Sequence, residues 1–122
     1  MLKEKMKIVQ KKIVLENETA INIGSGGLEV FSTPMLVAFM ENTAFNLVEN
    51  KMEVGMTTVG ISLNLKHLKS NRVGDELLCE CEIVGIDGKK IIFNIQVMFE
   101  GVLVASCEHE RFIVNSKKFM SK

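Results

Sequence analysis

Strict alternation of apolar and polar residues fills the second half of the chain. From Thr57 to Leu68, Val59, Ile61, Leu63, Leu65 and His67 fall on one face, and Thr58, Gly60, Ser62, Asn64 and Lys66 on the other. This is the period of a half-buried strand. Glu76 to Ile86 repeats it, with Leu77, Cys79, Cys81 and Ile83 opposing Leu78, Glu80, Glu82 and Val84. Lys89 to Phe99 keeps Ile91, Phe93, Ile95, Val97 and Phe99 in phase, and a last strand runs from Val102 to Val114. Turn residues separate these runs at Asn71 to Gly74, Asp87-Gly88 and Glu100-Gly101. The pattern predicts a meander of four long antiparallel strands.

The first half is organised differently. Residues 6–15 and 18–23 carry β-branched side chains with weak alternation and are expected to be extended, followed by a flexible loop at Ser25, Gly26 and Gly27. At Phe31-Ser32-Thr33-Pro34 a helix begins, with Thr33 as the expected N-cap and the chain's only proline at the first helical position. From Pro34 to about Asn50 the run PMLVAFMENTAFNLVEN is apolar on almost every side, as in a helix wrapped by a sheet. The expected architecture is α+β: one central helix and a curved antiparallel sheet in a single domain over residues 1–122. A sheet with free edges cannot enclose its helix alone, so pairing with a second copy is expected, as a homodimer or a tetramer built from two.

Composition narrows the partners. Apolar residues make up 47% and charged residues 25%, ordinary values for a folded chain. Fifteen Lys and Arg balance fifteen Asp and Glu, so no global field favours nucleic acid or an anionic membrane. Lysines gather at both ends (Lys3, Lys5, Lys7, Lys11 and Lys12; Lys117, Lys118 and Lys122), read either as solvated ends or as a patch for coenzyme phosphates. No window has the length of a spanning helix, and the N-terminal run has no signal-peptide apolar stretch, so a soluble cytoplasmic protein is expected. Cys79, Cys81 and Cys107 are odd in number and two of them point to one side of a strand, which reads as buried reduced thiols. With only His67 and His109 to add, no metal site and no cofactor are expected.

Five residues stand out chemically. Glu41 has Val37, Ala38, Ala44 and Phe45 as helical neighbours, which predicts a buried carboxylate that needs a partner or a purpose. Thr33 lies two turns earlier, where unpaired backbone N–H groups favour a developing anion, although on local sequence alone a plain N-cap is the favoured reading. His67 shares a face with four apolar residues and is expected to point to the helix layer, as a proton carrier or as a core histidine. Arg111, in phase with Leu103, Ala105, Cys107, His109 and Ile113, is expected as a buried or interfacial cation that pairs with a carboxylate or a coenzyme phosphate, or as a strand-end salt bridge. Gly60 interrupts a β-favouring run, which signals either a bulge or a close approach to the backbone.

Together these pieces resemble the fluoroacetyl-CoA thioesterase-like branch of the hot-dog thioesterases. The matching residues are Ser32-Thr33-Pro34, Met40-Glu41, the run Gly55 to Leu68, Val73-Gly74-Asp75, Asp87 to Lys90, and His109 to Phe112, in colinear order. The resemblance implies a hot-dog fold, hydrolysis of a short-chain acyl-CoA thioester, catalytic roles for Thr33, Glu41 and His67, and places for Gly60 and Arg111 in the substrate pocket. The loop before Phe31 lacks the aromatic side chains that would shape a tight acyl pocket, so selectivity for a fluorinated acyl group is not expected. A non-catalytic acyl-CoA binding module is the rival reading.

Overall fold

The computed structural model describes residues 1–121; Lys122, one of the C-terminal lysines, lies outside them. Five strands form one antiparallel sheet: β1 (Lys7–Ile13), β2 (Met56–His67), β3 (Glu76–Asp87), β4 (Lys90–Phe99) and β5 (Val102–Asn115). Their spatial order is β1-β3-β4-β5-β2. A short α1 (Ala20–Ile23), the long α2 (Thr33–Glu49) and a C-terminal α3 (Ser116–Met120) complete the fold, with a 3-10 turn at Glu16–Glu18.

The expected meander therefore holds for β3, β4 and β5 but not for β2. Instead of pairing with β3, β2 crosses to the far side and pairs with β5, leaving its other edge free. Period-two alternation specifies that a segment is a strand and which face it buries, but not which neighbour it chooses. The hairpins follow their turn chemistry. Glu100 and Gly101 both adopt positive φ (50° and 79°), the backbone of a two-residue turn matched to strand twist.

Residues 18–23 are not extended. Thr19 caps α1 by accepting from the Asn22 N–H, and Gly24 ends it in the left-handed conformation, φ 82°. At the start of α2 the cap is one residue earlier than expected: Ser32 Oγ accepts from the Met35 N–H at 3.3 Å, and Thr33 is the first helical residue. The difference matters because it leaves the Thr33 hydroxyl without a capping duty. Ser32→Ala should cost about 0.5–2 kcal/mol in a urea titration; an unchanged midpoint would remove Ser32 as the determinant of the helix start.

α2 buries Leu36, Phe39, Met40, Ala44, Leu47 and Val48 against the inner face of the sheet, where Leu77, Ile83, Ile91, Phe93, Ile95 and Val97 are all closed to solvent. It is not covered all round: Pro34, Ala38, Asn42 and Asn46 make an exposed stripe at four-residue spacing. Gln10 of the edge strand β1 bonds to Asn42, Thr43 and Asn46 beside that stripe. Cys79, Cys81 and Cys107 are buried and unpaired. Burial drives all three thiol pKa values up, to about 11 for Cys79 and about 12 for Cys107.

Candidate active site

Helix α2 runs antiparallel to β2, and polar side chains join the two at regular intervals. Thr33 Oγ1 lies 2.8 Å from His67 Nδ1 at the helix start. Glu41, eight residues on, lies over Gly60. Glu49 accepts a hydrogen bond from Thr57 Oγ1 at 2.9 Å near the helix end. All three contacts fall on the edge strand.

β2 can make them because its alternation is broken. Gly60 pairs with Arg111 and Ser62 with Glu110, so Ile61 is an extra residue with no partner across the ladder. In an unbroken strand Gly60 and His67 would face opposite ways; the bulge brings both to the helix side. It also turns Thr58 inward, where it is buried, against the outward position that alternation assigns it. Ile61, assigned to the inner face, is instead half exposed. Gly60 is thus both of the expected things, a bulge position and a close approach. A Cβ there would collide with Glu41 Oε2 and press on His109 Cε1 at 3.3 Å and Arg111 Nη1 at 3.4 Å.

Arg111 is buried, as expected, and each of its three nitrogens donates to a partner. Nε donates to Thr58 Oγ1 (2.8 Å), Nη2 to the Thr58 carbonyl (3.1 Å) and Nη1 to His109 Nε2 (3.2 Å). The guanidinium also sits 5.7 Å from the Phe45 ring centre, within cation–π range. Burial lowers its pKa, and the Glu41 and Glu49 carboxylates oppose that; a guanidinium stays charged regardless. Its nearest carboxylate is Glu41, with Nη1 to Oε2 at 3.7 Å.

Glu41 itself departs from expectation. Its side chain is 41% exposed within one chain, because Gly60 offers no side chain to cover it and β2 is the last strand of the sheet. Apolar neighbours along a helix predict a buried face only if another layer closes over it. His67 is half-buried, and burial lowers its pKa, partly offset by a backbone hydrogen bond with Lys69. Above its pKa the imidazole is neutral and able to take a proton.

The predicted residues thus form two sets: Thr33 with His67, and Glu41 with Gly60 and Arg111. Eight helical residues separate Thr33 from Glu41, about 12 Å along the axis. Thr58 and His109 join the second set; Thr58 was hidden by the bulge, whereas the inward phase of His109 was visible in the strand pattern. A cleft of about 650 Å³ opens between β1 and α2, at the other edge of the sheet, and none of these residues lines it. Among the described residues, no three His, Cys, Asp or Glu side chains gather to hold a metal ion.

The chain superposes on the fluoroacetyl-CoA thioesterase FlK with a TM-score of 0.94 at 17% identity, covering 99% of this chain and 94% of that one. A hot-dog-like protein from Thermanaerovibrio acidaminovorans gives 0.88 at 19%, covering 97% and 87%. A hypothetical protein from Thermus thermophilus, a thioesterase superfamily member, gives 0.89 at 19%, covering 98% and 88%. No curated protein sequence matches. A five-stranded antiparallel sheet around one long helix, matched at this level, is the hot-dog fold. Within it, the chain belongs to the fluoroacetyl-CoA-specific thioesterase family, whose sequence profile matches residues 14–117.

Proposed function

We propose that this protein is an acyl-CoA thioesterase that hydrolyses a short-chain acyl-CoA to the carboxylic acid and coenzyme A, as a cytoplasmic homodimer whose catalytic domain spans the whole chain. The observation that carries the site is the Thr33–His67 hydrogen bond at the start of α2. A carbonyl placed over that first turn would meet the positive end of the helix dipole, which favours the oxyanion formed on attack. His67 takes a proton from the attacking group and returns it to the departing thiolate. Thr33 positions the carbonyl or the attacking group, and Glu41 attacks or orients the nucleophile. Gly60 leaves room for the thioester beside Glu41, and Arg111 holds the carboxylate in place.

Dimerisation is supported by the same geometry. Gly60 and His67 lie seven residues apart, about 23 Å along β2, too far for the groups beside them to act on one thioester carbon in one chain. A second copy paired antiparallel along the free edge, about a two-fold axis near Leu63 and Asn64, would bring His67 of one protomer beside Gly60 and Glu41 of the other. Each site then draws the helix start from one subunit and the carboxylate from its partner. Buried, unpaired cysteines suit a reducing cytosol. The open loop around Gly26 and Gly27 favours an ordinary short acyl group over a fluorinated one.

Two measurements test this reading. Release of coenzyme A from a series of acyl-CoA chain lengths should show turnover that is highest for short chains. Tight binding with no thiol release would establish the rival, a binding module. Mixing inactive Thr33→Ala and Glu41→Gln proteins, with subunit exchange, should restore about a quarter of wild-type activity, because half the dimers are mixed and each holds one intact site. No restoration after demonstrated exchange would place all three groups in one subunit.

A further inference from the structure

His109 is the most deeply buried histidine in the fold, 1% exposed, and the chemistry above gives it no task. Its partners fix its state. Nδ1 lies 2.8 Å from the Ser62 carbonyl, which can only accept, so Nδ1 carries the proton. Nε2 lies 3.2 Å from Arg111 Nη1, which can only donate, so Nε2 presents its lone pair. The imidazole is therefore neutral, in one tautomer. The carbonyl that holds it belongs to the residue just after the bulged Ile61. Phe93 on β4 stacks on the ring at 5.7 Å, which fixes its plane.

We propose that His109 is a positioning residue for the thioesterase site: as a neutral acceptor it holds Arg111 Nη1, the same nitrogen that faces Glu41, and so sets where the carboxylate sits. The inference rests on the thioesterase reading for its kinetic consequence, though not for its geometry. A chain of contacts links the bulge to the carboxylate through Ser62, His109 and Arg111. One added proton breaks it. An imidazolium has no lone pair for Arg111 and places two cations side by side. The charged groups acting on the ring are Arg111 and Glu110 on β5 and Glu41 on α2; β2 offers the Ser62 carbonyl and β4 the Phe93 ring. Burial and Arg111 favour the neutral ring, against the Ser62 bond and the two carboxylates, and the balance lowers its pKa.

The test uses the intact protein and two substitutions. His109→Gln can reproduce both bonds, accepting from Arg111 and donating to Ser62, but cannot titrate. His109→Phe preserves stacking and volume but loses both. Since His67 and His109 must both be neutral, wild-type kcat/KM should fall with the square of proton concentration once pH drops below both pKa values, which burial lowers from the ordinary histidine value. His109→Gln should keep activity within about threefold at pH 8 and fall with the first power only; His109→Phe should lose roughly 10²-fold in kcat/KM. A wild-type slope that His109→Gln leaves unchanged, or wild-type kcat/KM in His109→Phe, would overturn the proposal, and His109→Gln alone decides if the phenylalanine variant does not fold. Imidazole ¹⁵N NMR at pH 7 should show His109 neutral with the proton on Nδ1; the other tautomer or an imidazolium refutes it. The NMR measurement needs no substrate, so the His109 arrangement is judged apart from thioester hydrolysis.

Discussion

Glu41→Gln should lower kcat/KM for acyl-CoA hydrolysis by about 10²–10⁴-fold, the range for loss of a positioned acid–base or nucleophilic group. The replacement keeps size and hydrogen-bonding atoms and removes only the charge and its basicity. Stability should hardly change. Among the described residues the carboxylate makes a single ion pair, at 3.7 Å, and is 41% exposed, a setting in which ion pairs are worth little. The two readouts separate the roles: a structural glutamate would show itself in the melting temperature and leave the rate alone. His67→Ala should lose turnover to a similar degree with circular dichroism and native mass unchanged. Wild-type rates in both variants would remove the site.

Gly60→Ala is expected to be nearly as damaging by a different route. The added methyl would occupy the space of Glu41 Oε2 and crowd His109 and Arg111. Since the colliding atom is the tip of a flexible side chain, the fold can yield by rotating Glu41 away. Replacing glycine by alanine also reduces the freedom of the unfolded chain, worth about 0.4–1 kcal/mol where the backbone is compatible, so thermal stability should stay within a few degrees. The displaced carboxylate should cost on the order of 10²-fold in kcat/KM. A crystal structure of the variant with Glu41 unmoved, or an unaltered rate, would contradict the account of Gly60.

Much of this could be read from the residues because each strand and the helix carry their own local pattern. The four long strands, the α2 boundaries and the inward phase of Arg111 follow from alternation, Pro34 and the turn residues. What stayed hidden depended on contacts across the fold. Whether β2 pairs with β3 or β5 is decided by which edge is free once the meander has formed, and the residues of each segment are silent on it. The bulge at Ile61 reverses one end of a strand whose letters alternate without interruption, so Thr58 was placed on the wrong face. Ser32 and Thr33 are both good caps, and one residue of difference decides which hydroxyl is released. Glu41 looked enclosed because its helical neighbours are apolar, yet the layer that would enclose it is absent from a single chain.

The three interior cysteines bear on how the protein coexists with its own product. Cleavage of a thioester yields coenzyme A, a thiol that exchanges with disulfides, and exchange requires a thiolate with an open line of approach. With Cys79 at a pKa of about 11, only about one molecule in a thousand carries that thiolate at pH 8, and it is shut away from solvent. The protein should therefore neither form mixed disulfides with coenzyme A nor consume a thiol-reactive dye while folded, so colour in such an assay counts product alone.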